Sequence, residues 1–382
     1  MRVVCCLAAL MGAISPPRSP ALAGPAVPPT TSETDLLLAR AKAGIAEGDA
    51  LFDRDEAAAE KRYRQGLADT RRHLKVKPDD LVARELVFRY HGRLGIMAKN
   101  NGAYAQAVNH FTAAITEMQS LLTLPTNTAL AWRHMLGATF RRLGDVHIAL
   151  KQAGKAMAAY RNLDQQAQML MLVQGSSPET MVMRANALRG IAGAQVMGGD
   201  NLAGQQTYVE ASKISRAILE AEPGKSVHRE RLCHTLLQVG RLYMAEKAFP
   251  QAAETLEEAE LLARGLYEQH PEDPAMQLQW GEALLMLAVQ RSQTGRVPEA
   301  KVHVGHAVSL IALASANAPE MAAYRVRLGQ AQDTFERLYF GVSKSDLEAA
   351  FRRVERHAAG LKQGELAAAV VRAWAKAMLA QR

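Results

Sequence analysis

The stretch Leu94–Ala114, LGIMAKNNGAYAQAVNHFTAA, decides the fold. Leu94-Gly95 is followed by Gly102, Tyr104, Ala107, Phe111 and Ala114. The small residue Gly95 lets two helices of a hairpin approach closely. Gly102, seven residues on, is placed to close the first helix in a left-handed cap. Ala107 and Ala114, twelve and nineteen residues on, leave room for a second helix to pack back on the first.

Outward from this stretch the same offsets return. Leu136-Gly137 is followed by Phe140, Gly144, Ala149 and Ala156, and Ile191-Ala192 by Gly199, Gly204, Tyr208 and Ala211. Val239-Gly240 is followed by Tyr243, Phe249, Ala252 and Ala259, and Leu287-Ala288 by Gly295, Ala300 and Ala307. An earlier copy is degenerate: Ala59, Tyr63 and Gly66 fit its second helix, but Glu47 takes the small position. The period read this way runs from 42 (Gly95 to Gly137) to 55 (Gly137 to Ala192) and prefers 48 (Ala192 to Gly240 to Ala288). Prolines mark a similar ruler, with Pro78, Pro125, Pro178, Pro223, Pro271 and Pro319 at gaps of 47, 53, 45, 48 and 48. Ser177-Pro178 and Asp273-Pro274 pair an N-cap with a first-turn proline, and Pro250 and Pro298 fall where second helices begin. A fixed period of this size is the mark of a repeat array.

The pattern resembles the tetratricopeptide repeat (TPR), in a variant longer than the family's usual period. The resemblance covers about residues 34–340. It implies an all-α fold, a right-handed α-solenoid superhelix of antiparallel helical hairpins, with first helices lining a concave groove that holds peptides. After Phe340 the register is lost. Ser345-Asp346-Leu347-Glu348 reads as a capping box opening an amphipathic helix, and residues 341–382 read as C-terminal capping helices, which a solenoid needs over its last repeat.

Composition agrees. Hydrophobic residues make up 48% and charged residues 22% of the chain, which excludes a disordered or collagen-like protein. Aromatics are only 5%, so the core is built from Ala, Leu, Val and Met, which suits close helix packing. Six of the fifteen prolines precede Thr30. There Met1-Arg2, an apolar run from Val3 to Ile14 and Ala21-Leu22-Ala23 read as a signal peptide over residues 1–23, with a Pro-rich linker over 24–33. The expectation is export, to the periplasm or beyond. Cys233 is then the one cysteine of the mature chain, read as a buried structural thiol.

Chemistry is sparse. There is no P-loop, nucleophile elbow, dinucleotide fingerprint or HExxH motif. His303 and His306 share a helix face, but no third ligand is near, and they read as a solvated face. The sequence predicts no catalytic residue, no metal and no cofactor, hence a non-enzymatic scaffold or adaptor. An enzyme on an α-solenoid with an unrecognised site is the competing class.

The net charge of +8, or +6 without Arg2 and Arg18 of the signal, fits nucleic acid, anionic lipid or an acidic protein partner and selects none of them. Arg89, Arg93, Lys99, His134, Arg141, Arg142, Arg189 and Arg241 fall on or near first helices and are the predicted peptide-binding residues. Arginine suits bidentate capture of carboxylates. The clamp asparagines known in the family are not reproduced: Ile96 and Ala138 stand at the ninth place of two repeats. The expected partner is a protein or peptide, acidic in character. Nucleic acid ranks behind it, because the basic clusters lack interleaved aromatics. A membrane surface met by the C-terminal amphipathic helix is a further alternative, and the oligomeric state is left open.

Overall fold

A computed structural model describes residues 32–124 and 128–381. The signal peptide, most of the linker and Pro125 lie outside the described residues. The described chain is helical, with fifteen α-helices and no strand among the described residues. It divides into two compact units, one ending at Tyr90 and one beginning at His91. In the first, α1 (Glu33–Leu51) pairs with α2 (Glu56–Val76). Helix α3 (Leu81–Asn100) contributes Tyr90 to this unit, and the Tyr90 hydroxyl donates to the Ala41 carbonyl.

The second unit continues through α4 (Tyr104–Leu121), α5 (Ala129–Ala149), α6 (Ala153–Gln174), α7 (Pro178–Met197) and α8 (Asn201–Ala221). It goes on through α9 (Ser226–Ala245), α10 (Phe249–Gln269), α11 (Pro274–Gln293), α12 (Val297–Asn317) and α13 (Ala322–Leu338). From α4 to α13 each helix packs on the next in sequence, so the layers form by local pairing. Helix α5 also reaches α7, α9 reaches α11, and α11 reaches α13. The helices α6, α8 and α10 make no comparable approach to one another among the described residues. The first helices of adjacent hairpins thus approach one another at α5–α7, α9–α11 and α11–α13, and they make up the inner layer of this unit.

The residue that ends each first helix sets the period. Gly102, Lys151, Gly199, Lys247 and Gly295 all adopt positive φ, and their numbers rise in steps of 49, 48, 48 and 48. Each backbone N–H after the turn caps the preceding helix; that of Ala248, for example, donates to the Tyr243 carbonyl at 2.9 Å. Seven residues before each cap lies a small residue: Gly95, Gly144, Ala192, Gly240 and Ala288. At twelve residues past it, Ala107, Ala156, Gly204, Ala252 and Ala300 are buried.

Two register assignments are corrected here. The second copy is set on Leu143-Gly144, not on Leu136-Gly137, so the intervals of 42 and 55 become 49 and 48. Gly137 and Gly144 are two turns apart on one face, and sequence offsets cannot separate them. In the fold a Cβ on Gly144 would come within 2.7 Å of the Tyr160 ring of its own hairpin, whereas one on Gly137 would meet Met183 of α7. In the first hairpin the small residue is Gly48, against which Tyr63 packs, rather than Glu47, which pairs with Arg62.

Caps explain the helix starts. Ser177 forms a capping box with Thr180 ahead of Pro178, and the Asp273 carboxylate accepts from the Ala275 N–H at 2.8 Å ahead of Pro274. At the C-terminus the cap is Ser343, two residues upstream of the expected Ser345. Its Oγ accepts from the Asp346 N–H at 3.1 Å and donates to the Asp346 carboxylate at 2.7 Å. Helix α14 (Lys344–Gly360) then packs with α15 (Glu365–Ala380), and both cover α12. Here Phe335, Tyr339, Phe351 and Trp374 gather in a chain otherwise poor in aromatics.

Candidate functional site

The inner layer of the second unit carries charge at fixed places in the period. Arg93 and Arg142 stand two residues before the small position, Arg141 and Arg189 three before it, and Arg241 one after it. His234, six before it, is exposed to solvent, yet burial among surrounding atoms and the charge of Arg189 push its imidazole below the ordinary value.

Several arginines here and elsewhere have a countercharge. Arg291, 5% exposed, pairs with Glu257 and lies 3.4 Å from Glu299. Arg216 forms a fork with both oxygens of Glu258 at 2.7 and 2.8 Å, and Arg184 donates to Glu210 at 3.0 Å. Arg142 and Arg189 differ. They are half-buried and, alone among the described arginines so placed, have neither a hydrogen bond nor an ion pair. Loss of water pushes the Arg142 guanidinium down to about 10, with Arg141 and Arg93 adding to the effect. Burial lowers Arg189 as well, with Arg231 and Arg141 adding. Both remain charged at neutral pH.

The predicted peptide-binding residues fall into distinct groups. Arg93, Arg141 and Arg142 are near enough to act on one another's charge, as are Arg141 and Arg189. Arg141 and Lys99 are both drawn to Asp145, at 3.3 and 3.8 Å. His134 sits near the start of α5, 3.7 Å from Glu179. Arg241 donates to Gln238 at 3.3 Å. Arg89 belongs to the first unit, where it pairs with Glu85 at 2.6 Å, one turn away on α3. Under the corrected register, the ninth place of the second copy is Asp145 rather than Ala138. Asp145 also accepts from the Tyr160 hydroxyl at 2.8 Å.

Three neighbours were not anticipated: Tyr208, Arg231 and His234. Burial raises the Tyr208 phenol, with Arg189 and Arg241 opposing, so it is an O–H donor at neutral pH. The repeat ruler carried the signal for Tyr208, since it stands one period after Tyr160.

Other chemistry is not assembled. A shallow recess between α7, α8 and α9 is lined by Asn186, Arg189, His228 and Arg231 among others. No group of three potential metal ligands occurs among the described residues. His306 is not on a solvated face: its ring stacks on that of His357 of α14, with centroids 3.9 Å apart and planes 13° apart. His303 is half-buried. The Cys233 Sγ–H donates to the Ala259 carbonyl at 3.3 Å, and burial raises the thiol, which makes it inert.

No protein-family model matches the sequence, and no curated protein matches it. Among solved structures, the chain is similar to the C-terminal part of a TPR protein from Cytophaga hutchinsonii (14% identity, 84% of this chain and 97% of that one, TM-score 0.43). It is also similar to a TPR protein from Parabacteroides merdae (11%, 83% and 99%, 0.38). A third is a thermophilic TPR protein from Thermus thermophilus (16%, 64% and 98%, 0.35).

Proposed function

We propose that this chain is a non-enzymatic scaffold that binds an acidic protein segment on the inner face of its second unit. The observation that carries the reading is the pair Arg142 and Arg189. A half-buried guanidinium without a counterion costs stability, the more so beside other arginines. Elsewhere in this fold that cost is met by glutamates; here an incoming carboxylate would meet it. The inner surface supplies the length for an extended segment, and Arg93, Arg231 and Arg241 extend its positive field.

A labelled hexaglutamate peptide is expected to bind the purified chain, and hexalysine is not. Replacing Arg142 and Arg189 together with Gln weakens hexaglutamate at least tenfold, about 1.4 kcal/mol. Equal binding of the two peptides, or no loss in the double variant, rejects the reading. A membrane role for α14 has less support: its apolar face (Leu347, Phe351, Val354) is buried. No helix among the described residues is long and apolar enough to cross a membrane. We further propose export with cleavage after Ala23, which the mass of the protein recovered from its native cell envelope would check.

A further inference from the structure

One hairpin carries an altered copy of a group its neighbour completes. In the α5–α6 hairpin, Asp145 accepts from the Tyr160 hydroxyl at 2.8 Å and lies 3.3 Å from Arg141, one turn earlier on α5. The α1–α2 hairpin repeats half of this, with the Tyr63 hydroxyl donating to Asp49 at 2.5 Å. One period after Arg141, Asp145 and Tyr160 stand Arg189, Gly193 and Tyr208. The arginine and the tyrosine are kept, and the acid is gone.

The consequences are visible around Gly193. Arg189 has no ion pair, and the Tyr208 hydroxyl has no hydrogen-bond partner among the described residues. A Cβ placed on Gly193 would lie 3.2 Å from the Tyr208 hydroxyl, a tight contact, and beyond its own stretch of helix would meet no other atom within 4 Å, so the phenol reaches the place where Asp145 stands in the preceding hairpin. One period further on, the same place is held by Arg241, whose charge also acts on Tyr208. Arg189, one turn earlier on α7, and the Tyr208 O–H donor thus stand at a position that holds no acid, with Arg241 in electrostatic reach of the same phenol. Gly193 lies inside α7, where glycine weakens a helix relative to alanine.

We propose that Arg189, Tyr208 and Arg241, around Gly193, form a receptor for one carboxylate of the bound segment, which takes the place Asp145 fills in the preceding hairpin. This rests on the groove reading above and names the chemistry of its anchor point.

The test restores the missing acid. Gly193→Asp raises the melting temperature above that of Gly193→Ala, which controls for helix propensity. Tyr208→Phe added to Gly193→Asp removes most of that extra rise. Glutarate, a small dicarboxylate, stabilises the wild-type chain and the Gly193→Ala variant at low ionic strength but not Gly193→Asp. Hexaglutamate binds Gly193→Asp at least tenfold more weakly than Gly193→Ala. If Gly193→Asp melts no higher than Gly193→Ala, or glutarate stabilises both alike, the receptor is overturned. If glutarate discriminates as stated while hexaglutamate fails to bind the wild-type chain, the groove reading falls and the carboxylate receptor stands.

Discussion

At Gly144 a single methyl group decides whether α5 and α6 can close, because the Tyr160 ring occupies the space a side chain would need. The phenol is itself held by Asp145, so the ring cannot swing aside without losing a hydrogen bond. Gly144→Ala is expected to cost about 1–3 kcal/mol, as overpacking does in well-filled cores. Chemical denaturation would read this, and an unchanged midpoint would refute the packing argument. Gly154, with nothing within 4 Å of an added Cβ, is the control site. At this scale the sequence was legible wherever a glycine or alanine had to be small, and misleading where two glycines lay a multiple of seven apart.

Among the elements, the turn between first and second helix is the most constrained part of the repeat. Lys151 and Lys247 adopt φ of 56° and 58°, positions filled by glycine in the neighbouring copies. A side chain in that region costs roughly 1–2 kcal/mol, partly offset by glycine's greater freedom in the unfolded chain. Lys151→Gly and Lys247→Gly should therefore each stabilise the protein by about 0.5–1 kcal/mol, and thermal melts would show it. These lysines concealed the ruler, since a search for a glycine at the cap finds three of five.

The junction of α12 and α14 sets a pH response. Burial lowers the His306 imidazole, with His303 adding to the effect, and holds His357 down to about 4, with His306 adding. Burial also lowers His147 and His303. A histidine with a depressed folded pKa contributes stability that is complete above its unfolded value, near 6.5, and is lost as pH falls toward the folded value. Acidification from pH 7 to 4.5 is therefore expected to lower the melting temperature. His357→Phe keeps the stacked contact and should flatten that dependence. A profile as steep as the wild type would sink the assignment.

For the second unit as a whole, stability depends on how its last repeat is covered. Val304, Val308 and Ile311 on α12 are buried beneath α14 and α15 in a cluster that includes Phe335 and Phe351. Removing residues 341–382 would expose this face. The expected outcome is binding of a hydrophobic dye together with concentration-dependent association, as uncapped repeat arrays show. A truncated chain that stays monomeric and binds no dye would show that α13 suffices. Cooperative loss should spread from this end, because each hairpin contacts chiefly its neighbours.

Sequence by itself determined the helical class, the hairpin as building unit and the period near 48. These follow from local rules: small residues where helices touch, caps where helices start, glycine where the backbone turns left-handed. Which charges are already paired emerges once the helices are packed together. Lys99 and Asp145 stand on different hairpins, as do Arg216 and Glu258, yet each pair meets in space. Pairing across hairpins depends on how far each side chain reaches, which offsets in a sequence do not encode. The same holds for Gly193: in sequence it is one more glycine in a helix, and in the fold it is the place from which an acid is missing.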